Sequence, residues 1–225
     1  MSRVLIIPDL HYPVAKEGHL DFLLSIYDSW ECDTVVAIGD LVDCCALSFH
    51  TKNPRLKDPM VEYEKAREDV AKLVERFPVA TLLVGNHDAL PYRWCKEVGI
   101  PDEFMRSPSD LWGLPEGWDV VERFGHHEID GVLYAHGDRG RASAILNAKE
   151  EFKSVVQGHH HSKAGITFFA NKFTRIFGMQ VGCLVDHTTL AQKYGQKYNS
   201  KPILGCGVVL DGKTPIFEPW ILENE

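Results

Sequence analysis
Five short, mostly apolar runs punctuate the chain, at 4–8, 34–38, 79–84, 132–135 and 154–157. A run of this length without polar alternation is the pattern of a strand buried on both faces. Residues 20–27 have helical character, and a Glu-, Lys- and Arg-rich amphipathic stretch over 61–77 stops at Pro78. Residues 89–98 and 141–151 also read as helices. Short buried strands, each followed by a helix, predict a layered α/β fold. Residues 44–58 read as a long polar loop.

The second half is richer in strands. Asp130-Gly131 marks a hairpin turn within 128–133, Asn171-Lys172 a second within 166–177, and Asp211-Gly212 a third within 203–221. Its sheet edges should therefore be antiparallel. No Pro/Gly/Ser-rich linker separates the halves. The expectation is one domain over residues 1–225, with two mixed sheets packed together and flanked by helices.

Composition narrows the function classes. The 225 residues are 44% hydrophobic and 25% charged, which excludes disordered and collagen-like classes. The net charge of −8 makes the chain as a whole a poor electrostatic trap for duplex DNA. No apolar run approaches the ~18 residues of a membrane helix. Met1-Ser2-Arg3 leads straight into the first apolar run, too short for a signal peptide. The six cysteines (Cys32, Cys44, Cys45, Cys95, Cys183 and Cys206) form no CxxC pair and read as reduced thiols, so a cytoplasmic location is expected. Histidine is the unusual count, at 11.

The chemistry lies in where polar residues fall. The five runs end at Asp9-Leu10-His11, Gly39-Asp40-Leu41-Val42-Asp43, Gly85-Asn86-His87-Asp88, His136-Gly137-Asp138 and Gly158-His159-His160-His161. The carboxyl ends of strands are where layered α/β proteins bind ligands. Asp, His and Asn supply mixed oxygen and nitrogen donors without thiolate. That set suits two divalent ions, Mn²⁺ foremost, with Fe, Zn²⁺ or Ni²⁺ as alternatives, over an all-oxygen Ca²⁺ or Mg²⁺ cage. Two such ions can clamp a phosphoryl group and activate a water.

Taken together and in order, these five blocks resemble the calcineurin-like metallophosphoesterase signature. The resemblance covers residues 9 to 161. It implies an α/β/β/α sandwich and a site in which Asp9, His11, Asp40 and His161 hold one metal. Asp40, Asn86, His136 and His159 would hold the other, with Asp40 bridging. Against two aspartates, two divalent ions leave a site charge of about +2, which complements a phosphate ester. A metal-bridging hydroxide would attack. His87 would protonate the leaving oxygen or stabilise the transition state, with Asp43 orienting its ring. Asp88 replaces the Glu of protein Ser/Thr phosphatases, and Cys44-Cys45 replaces their Arg-Gly. The form is nearer to phosphodiesterase and nuclease types, including the Mre11/SbcD-like group.

Several flanking residues carry weaker expectations. Asp88 reads as the N-cap of helix 89–98. His160, alternating with two expected ligands, should point away from them. Arg139 and Arg141, at the start of helix 141–151, are candidates to bind substrate phosphate. Loop 44–58 is a candidate lid or specificity loop. The expected activity is hydrolysis of a phosphodiester in a nucleotide or nucleic acid, with no membrane association; a phosphomonoesterase is the alternative, and a scaffold without catalysis is disfavoured because no motif residue is missing. Sequence leaves the oligomeric state open.

Overall fold
The computed structural model describes residues 2–49, 58–189 and 199–221. The apolar runs become strands within a residue or two of their expected bounds. They are β1 (Arg3–Ile7), β2 (Thr34–Ala37), β3 (Ala80–Leu83), β6 (Val132–Ala135) and β7 (Ser154–Gln157). A short strand the sequence did not announce, β4 (Trp118–Val121), pairs parallel to β3. The remaining strands are β5 (His127–Ile129), β8 (Ala164–Ala170), β9 (Arg175–Val181), β10 (Gly205–Leu210) and β11 (Thr214–Pro219).

They form two mixed sheets. A six-stranded sheet runs β11-β10-β1-β2-β3-β4, and a five-stranded sheet runs β5-β6-β7-β9-β8. All three expected hairpins are present and antiparallel. The β8–β9 turn is longer than two residues. Ala170 pairs with Arg175, and the Asn171 side chain accepts hydrogen bonds from the Phe173 and Thr174 amides. The final hairpin crosses back to the first sheet, where β10 lies antiparallel to β1.

Strand alternation builds the layers. Leu5 and Ile7 of β1 face one core with Leu23 of α1 (His19–Ser29) and Ala66, Val70 and Leu73 of α2 (Pro59–Arg76). Val4 and Ile6 face the opposite way. They pack with Val36, Tyr134, Val156, Phe177 and Met179 between the sheets. On the far side, Leu133, Val155 and Ile176 pack on Ala148 of α5 (Ala144–Glu151). The result is helix, sheet, sheet, helix.

Helix boundaries follow local chemistry. Asp58 caps α2 by accepting from the Met60 and Val61 amides, and Pro59 occupies the first turn. Helix α3 (Leu90–Glu97) lacks a side-chain cap, so Asp88 does not play the capping role expected of it. A five-residue helix, α4 (Pro108–Trp112), lies between α3 and β4. Helix α5 starts after Arg139 and Arg141, which therefore sit in the preceding turn. Loop 44–58 opens with a 3-10 turn over Cys45–Leu47; its residues 50–57 lie outside the described residues. No described helix is long and apolar enough to cross a membrane.

Candidate metal centre
Three of the expected ligands have left-handed backbones: His11 (φ 51), Asp40 (φ 47) and His159 (φ 63). Side-chain-bearing residues adopt this region at a cost, and such strain persists only where surrounding contacts fix it. Here the loops hold one another. The amides of Leu10 and His11 donate to the Asp40 carbonyl, at 3.2 and 2.9 Å. The Tyr12 amide donates to Leu41 O and the Asp43 amide to Tyr12 O. Gly158 N donates to His136 O. From the motif-free tail, Leu184 N donates to Asp9 O.

Two glycines show how tight the junction is. A Cβ on Gly85 would lie 2.2 Å from Asp40 Oδ1, and one on Gly158 would lie 2.3 Å from Asp9 Oδ1. The glycine before each of these ligand blocks is needed because the neighbouring carboxylate occupies its side-chain space.

The side chains converge. Asp9, His11 and His161 place their donor atoms within 4.8 Å of one another, as do Asp40, His136 and His159. Asp40 Oδ2 lies between the groups, 3.5 Å from His11 Nε2 and 3.3 Å from His136 Nε2. Asn86 Oδ1 is 3.1 Å from His136 Nε2. A third trio, His11, Asp40 and His87, also meets the 4.8 Å limit. His160 is in none of these trios; its ring packs edge-on against His159 at 4.7 Å.

Divalent cations fit this arrangement on two grounds. His11 Nε2 is fully buried with no hydrogen-bond partner among the described residues. Leaving such an atom unpaired costs ~1–3 kcal/mol unless something coordinates it. The charges point the same way. Burial alone would raise Asp40, yet neighbouring His136, His87 and His11 hold its carboxyl well below the usual range. Reciprocally, burial would lower His136 and His87, but the Asp40 charge lifts each to about 10. The carboxylate draws protons onto imidazoles where cations would otherwise satisfy it, and metal binding releases such protons.

Asp43 contacts the His87 ring, but its carboxylate lies nearer to His11. Its Oδ1 is 2.8 Å from His11 Nδ1 and 3.3 Å from His87 Nδ1. The closer partner of His87 Nδ1 is the Asp43 backbone carbonyl, at 2.6 Å. A carbonyl only accepts, so Nδ1 carries a proton and Nε2 is left for the cleft. One residue thus fixes two rings, the carboxylate chiefly holding His11.

Asp88 is a buried brace that motif spacing could not reveal. It accepts from Gly85 N at 2.8 Å and from Val42 N at 3.0 Å, tying the second ligand loop to the third. Burial and then the Asp40 charge push its carboxyl up to about 7. The pair of arginines is not brought together on the donor cluster. Arg141 bonds Glu150 instead. Arg139 is exposed and lines a cavity of about 360 Å³ that also touches His136. Asp138 pairs with Arg123 at 2.8 Å.

The calcineurin-like phosphoesterase family model matches residues 2–163. A search of curated proteins finds no match. Among solved structures, the chain is similar to Yfce, a phosphoesterase from E. coli, at 12% identity and a TM-score of 0.45, over 92% of this chain and 87% of that one. It is also similar to Vacuolar Protein Sorting 29 from Cryptosporidium parvum, at 14% identity and a TM-score of 0.43, over 97% of each chain.

Proposed function
From the premise that this chain belongs to the calcineurin-like phosphoesterase family, we propose that it hydrolyses phosphodiester bonds of a nucleotide or nucleic acid, on the nuclease and phosphodiesterase side of that family. The coarser statement, a metal-dependent phosphoester hydrolase, follows from the family and the donor clusters. The observation that carries the proposal is Asp40 Oδ2, set between His11 Nε2 and His136 Nε2 where one carboxylate can serve two ions.

In this reading Asp9, His11, Asp40 and His161 hold one ion, and Asp40, Asn86, His136 and His159 the other. Mn²⁺ is the favoured metal, with Fe, Zn²⁺ and Ni²⁺ as alternatives. When bound, the pair neutralises phosphate charge and makes a water acidic enough to attack. The chain's own residues do the rest. His87, half-buried at the mouth and anchored through Nδ1, presents Nε2 to the leaving oxygen and gives up a proton there. Asp43 fixes the His11 tautomer so that His11 Nε2 keeps its lone pair toward the cleft.

A diester is favoured over a monoester by charge. A monoester dianion calls for extra cationic side chains. Cys44 is buried in the block where protein phosphatases carry Arg, and Arg141 is engaged by Glu150, which leaves Arg139 as the cation of that turn lining the cavity at His136. A diester, with one charge, needs less.

The test compares bis-p-nitrophenyl phosphate with p-nitrophenyl phosphate as substrates, after metal stripping and Mn²⁺ addition. Faster Mn²⁺-dependent turnover of the diester is the expected result. Preferential turnover of the monoester would replace this reading with a phosphomonoesterase.

A further inference from the structure
Helix α3 begins just past His87 and carries Tyr92, Arg93, Trp94 and Lys96. On one side it borders a groove of about 650 Å³. Val84 and Ala89, which flank the Gly85–Asp88 loop in the chain, line that groove. Its charged lining is Arg93, Lys96, Arg106 and Arg123 against Asp102 and Glu122. Lys96 is paired with Asp102 at 2.9 Å, and Arg123 with Asp138 at 2.8 Å. Among the described residues, the Arg93 and Arg106 guanidinium groups are in no ion pair. Set against the remaining lining carboxylate, Glu122, these two cations leave the groove net positive in a chain of net charge −8.

The same helix fixes an aromatic platform. Trp94 stacks on Phe49 with ring centroids 4.6 Å apart and planes 13° from parallel. The Arg93 guanidinium lies 4.7 Å from the Phe49 ring. The Trp94 indole N–H donates to the Leu47 carbonyl, at the end of the 3-10 turn that follows Asp43 and Cys44. Phe49 and Trp94 nonetheless remain 44% and 37% exposed. Two rings are thus held together at the surface by the segments that carry Asp43 and His87.

We propose that this groove and the Phe49–Trp94 stack bind a single-stranded nucleic acid. A base stacks on the exposed aromatic surface, and backbone phosphates run past Arg93 and Arg106. A cationic groove next to an aromatic platform is the combination by which unpaired strands are held. A duplex hides its base faces, and its dense charge is repelled by the rest of this acidic chain. The inference rests on the phosphodiester reading above and names the substrate class of that site.

The test uses the full-length, Mn²⁺-loaded protein and a fluorescent oligothymidylate of about 12 nucleotides, within the ~4–16-nucleotide sites of single-strand binders. Phosphorothioate linkages keep its charge and bases while slowing cleavage. Anisotropy should show binding that a duplex of equal length does not match. Trp94→Ala should weaken it roughly 5- to 100-fold, and Trp94→Phe should restore most of the loss. Arg106→Ala, in the groove lining, should lower the slope of log affinity against log salt by about 0.7. Absence of strand binding, tighter binding of the duplex, or wild-type affinity and salt slope in both Trp94→Ala and Arg106→Ala would overturn the inference. Wild-type hydrolysis of bis-p-nitrophenyl phosphate is measured alongside. Turnover of that ester without strand binding removes this inference alone, whereas strand binding without turnover removes the diester reading and leaves the binding surface.

Discussion
The two sheets contribute different chemistry to the same cleft. Loops after β1, β2 and β3 of the six-stranded sheet bring Asp9, His11, Asp40, Asp43, Asn86 and His87, and so every carboxylate of the donor cluster. Loops after β6 and β7 of the five-stranded sheet bring only imidazoles: His136, His159 and His161. The carboxylates are buried, while His159 and His161 lie partly open. One sheet therefore supplies the negative charge that calls for cations, and the other closes the coordination with neutral donors. The centre exists only where the sheets dock. Its integrity depends on the apolar layer of Ile6, Val36, Val156 and Met179 as much as on the ligands themselves.

This division can be broken in order of expected severity. Asp40→Asn removes charge facing both donor groups. It should lower kcat by at least ~10³-fold, beyond the ~10–100-fold effects typical of supporting partners, with the fold kept. His159→Ala, a neutral donor from the other sheet, should cost less. Equal losses, read alongside metal content by elemental analysis, would erase the distinction between the sheets.

Next is His87. Loss of a general acid typically costs ~10²–10⁴-fold, so His87→Ala should fall in that range with metal content normal. The deficit should shrink for a p-nitrophenolate leaving group, which needs little protonation. An emptied metal site would instead make His87 a ligand, in line with its place in a trio with His11 and Asp40.

Asp43→Asn separates its two contacts. The carboxylate lies closer to His11 than to His87, and the carbonyl that anchors His87 survives the substitution. The variant should lose ~10–100-fold in metal affinity, recoverable with excess Mn²⁺. A kcat loss that saturating Mn²⁺ leaves unchanged would return Asp43 to the role of orienting His87.

Gly158→Ala drives a methyl group into Asp9 where the sheets meet. Overpacking of this kind costs ~1–3 kcal/mol. A lower melting temperature and weaker retention of one ion are expected; a variant matching wild type in both would mean that the junction is loose.

The mildest test lies on the helix side of the first sheet. His19 Nε2 faces the Tyr12 hydroxyl at 2.6 Å, and its Nδ1 faces the Lys16 carbonyl. Burial disfavours its charged form and lowers its pKa below the ordinary 6.5. As pH falls through that value the unfolded chain takes up a proton that the folded one resists, so stability is present above it and declines below. His19→Gln keeps an acceptor for Tyr12 and removes this titration. The fall in melting temperature from neutral to mildly acidic pH should be shallower by roughly 2 °C. An identical slope would assign the pH dependence to other groups.

Much of this was legible before any coordinates. The strands behind Asp9, Asp40, Asn86, His136 and His159 show as short, mostly apolar runs because they are buried on both faces. Strand β4 does not show in the pattern because Asp119 interrupts the apolar residues of Trp118–Val121. The misjudged cap is equally instructive. Asp before a helix is a common N-cap, but here the N-cap position is Ala89, and the buried Asp88 carboxylate turns to the amides of Val42 and Gly85.

By itself the sequence determined the identity of the donors and their placement at strand ends, because both are local: an apolar run sets the strand, and the next polar residue sets the ligand. Only the tertiary structure decided which donor side chains meet, that the Asp43 carboxylate lies nearer to His11 than to His87, that the last hairpin joins the first sheet, and that Phe49 lies on Trp94. These depend on contacts between residues 32 to more than 100 positions apart, such as His11 with Asp43 and His161 with Asp9. Hydrophobic periodicity carries no record of such pairs, since they are selected by how two twisted sheets and their loops fill a common volume.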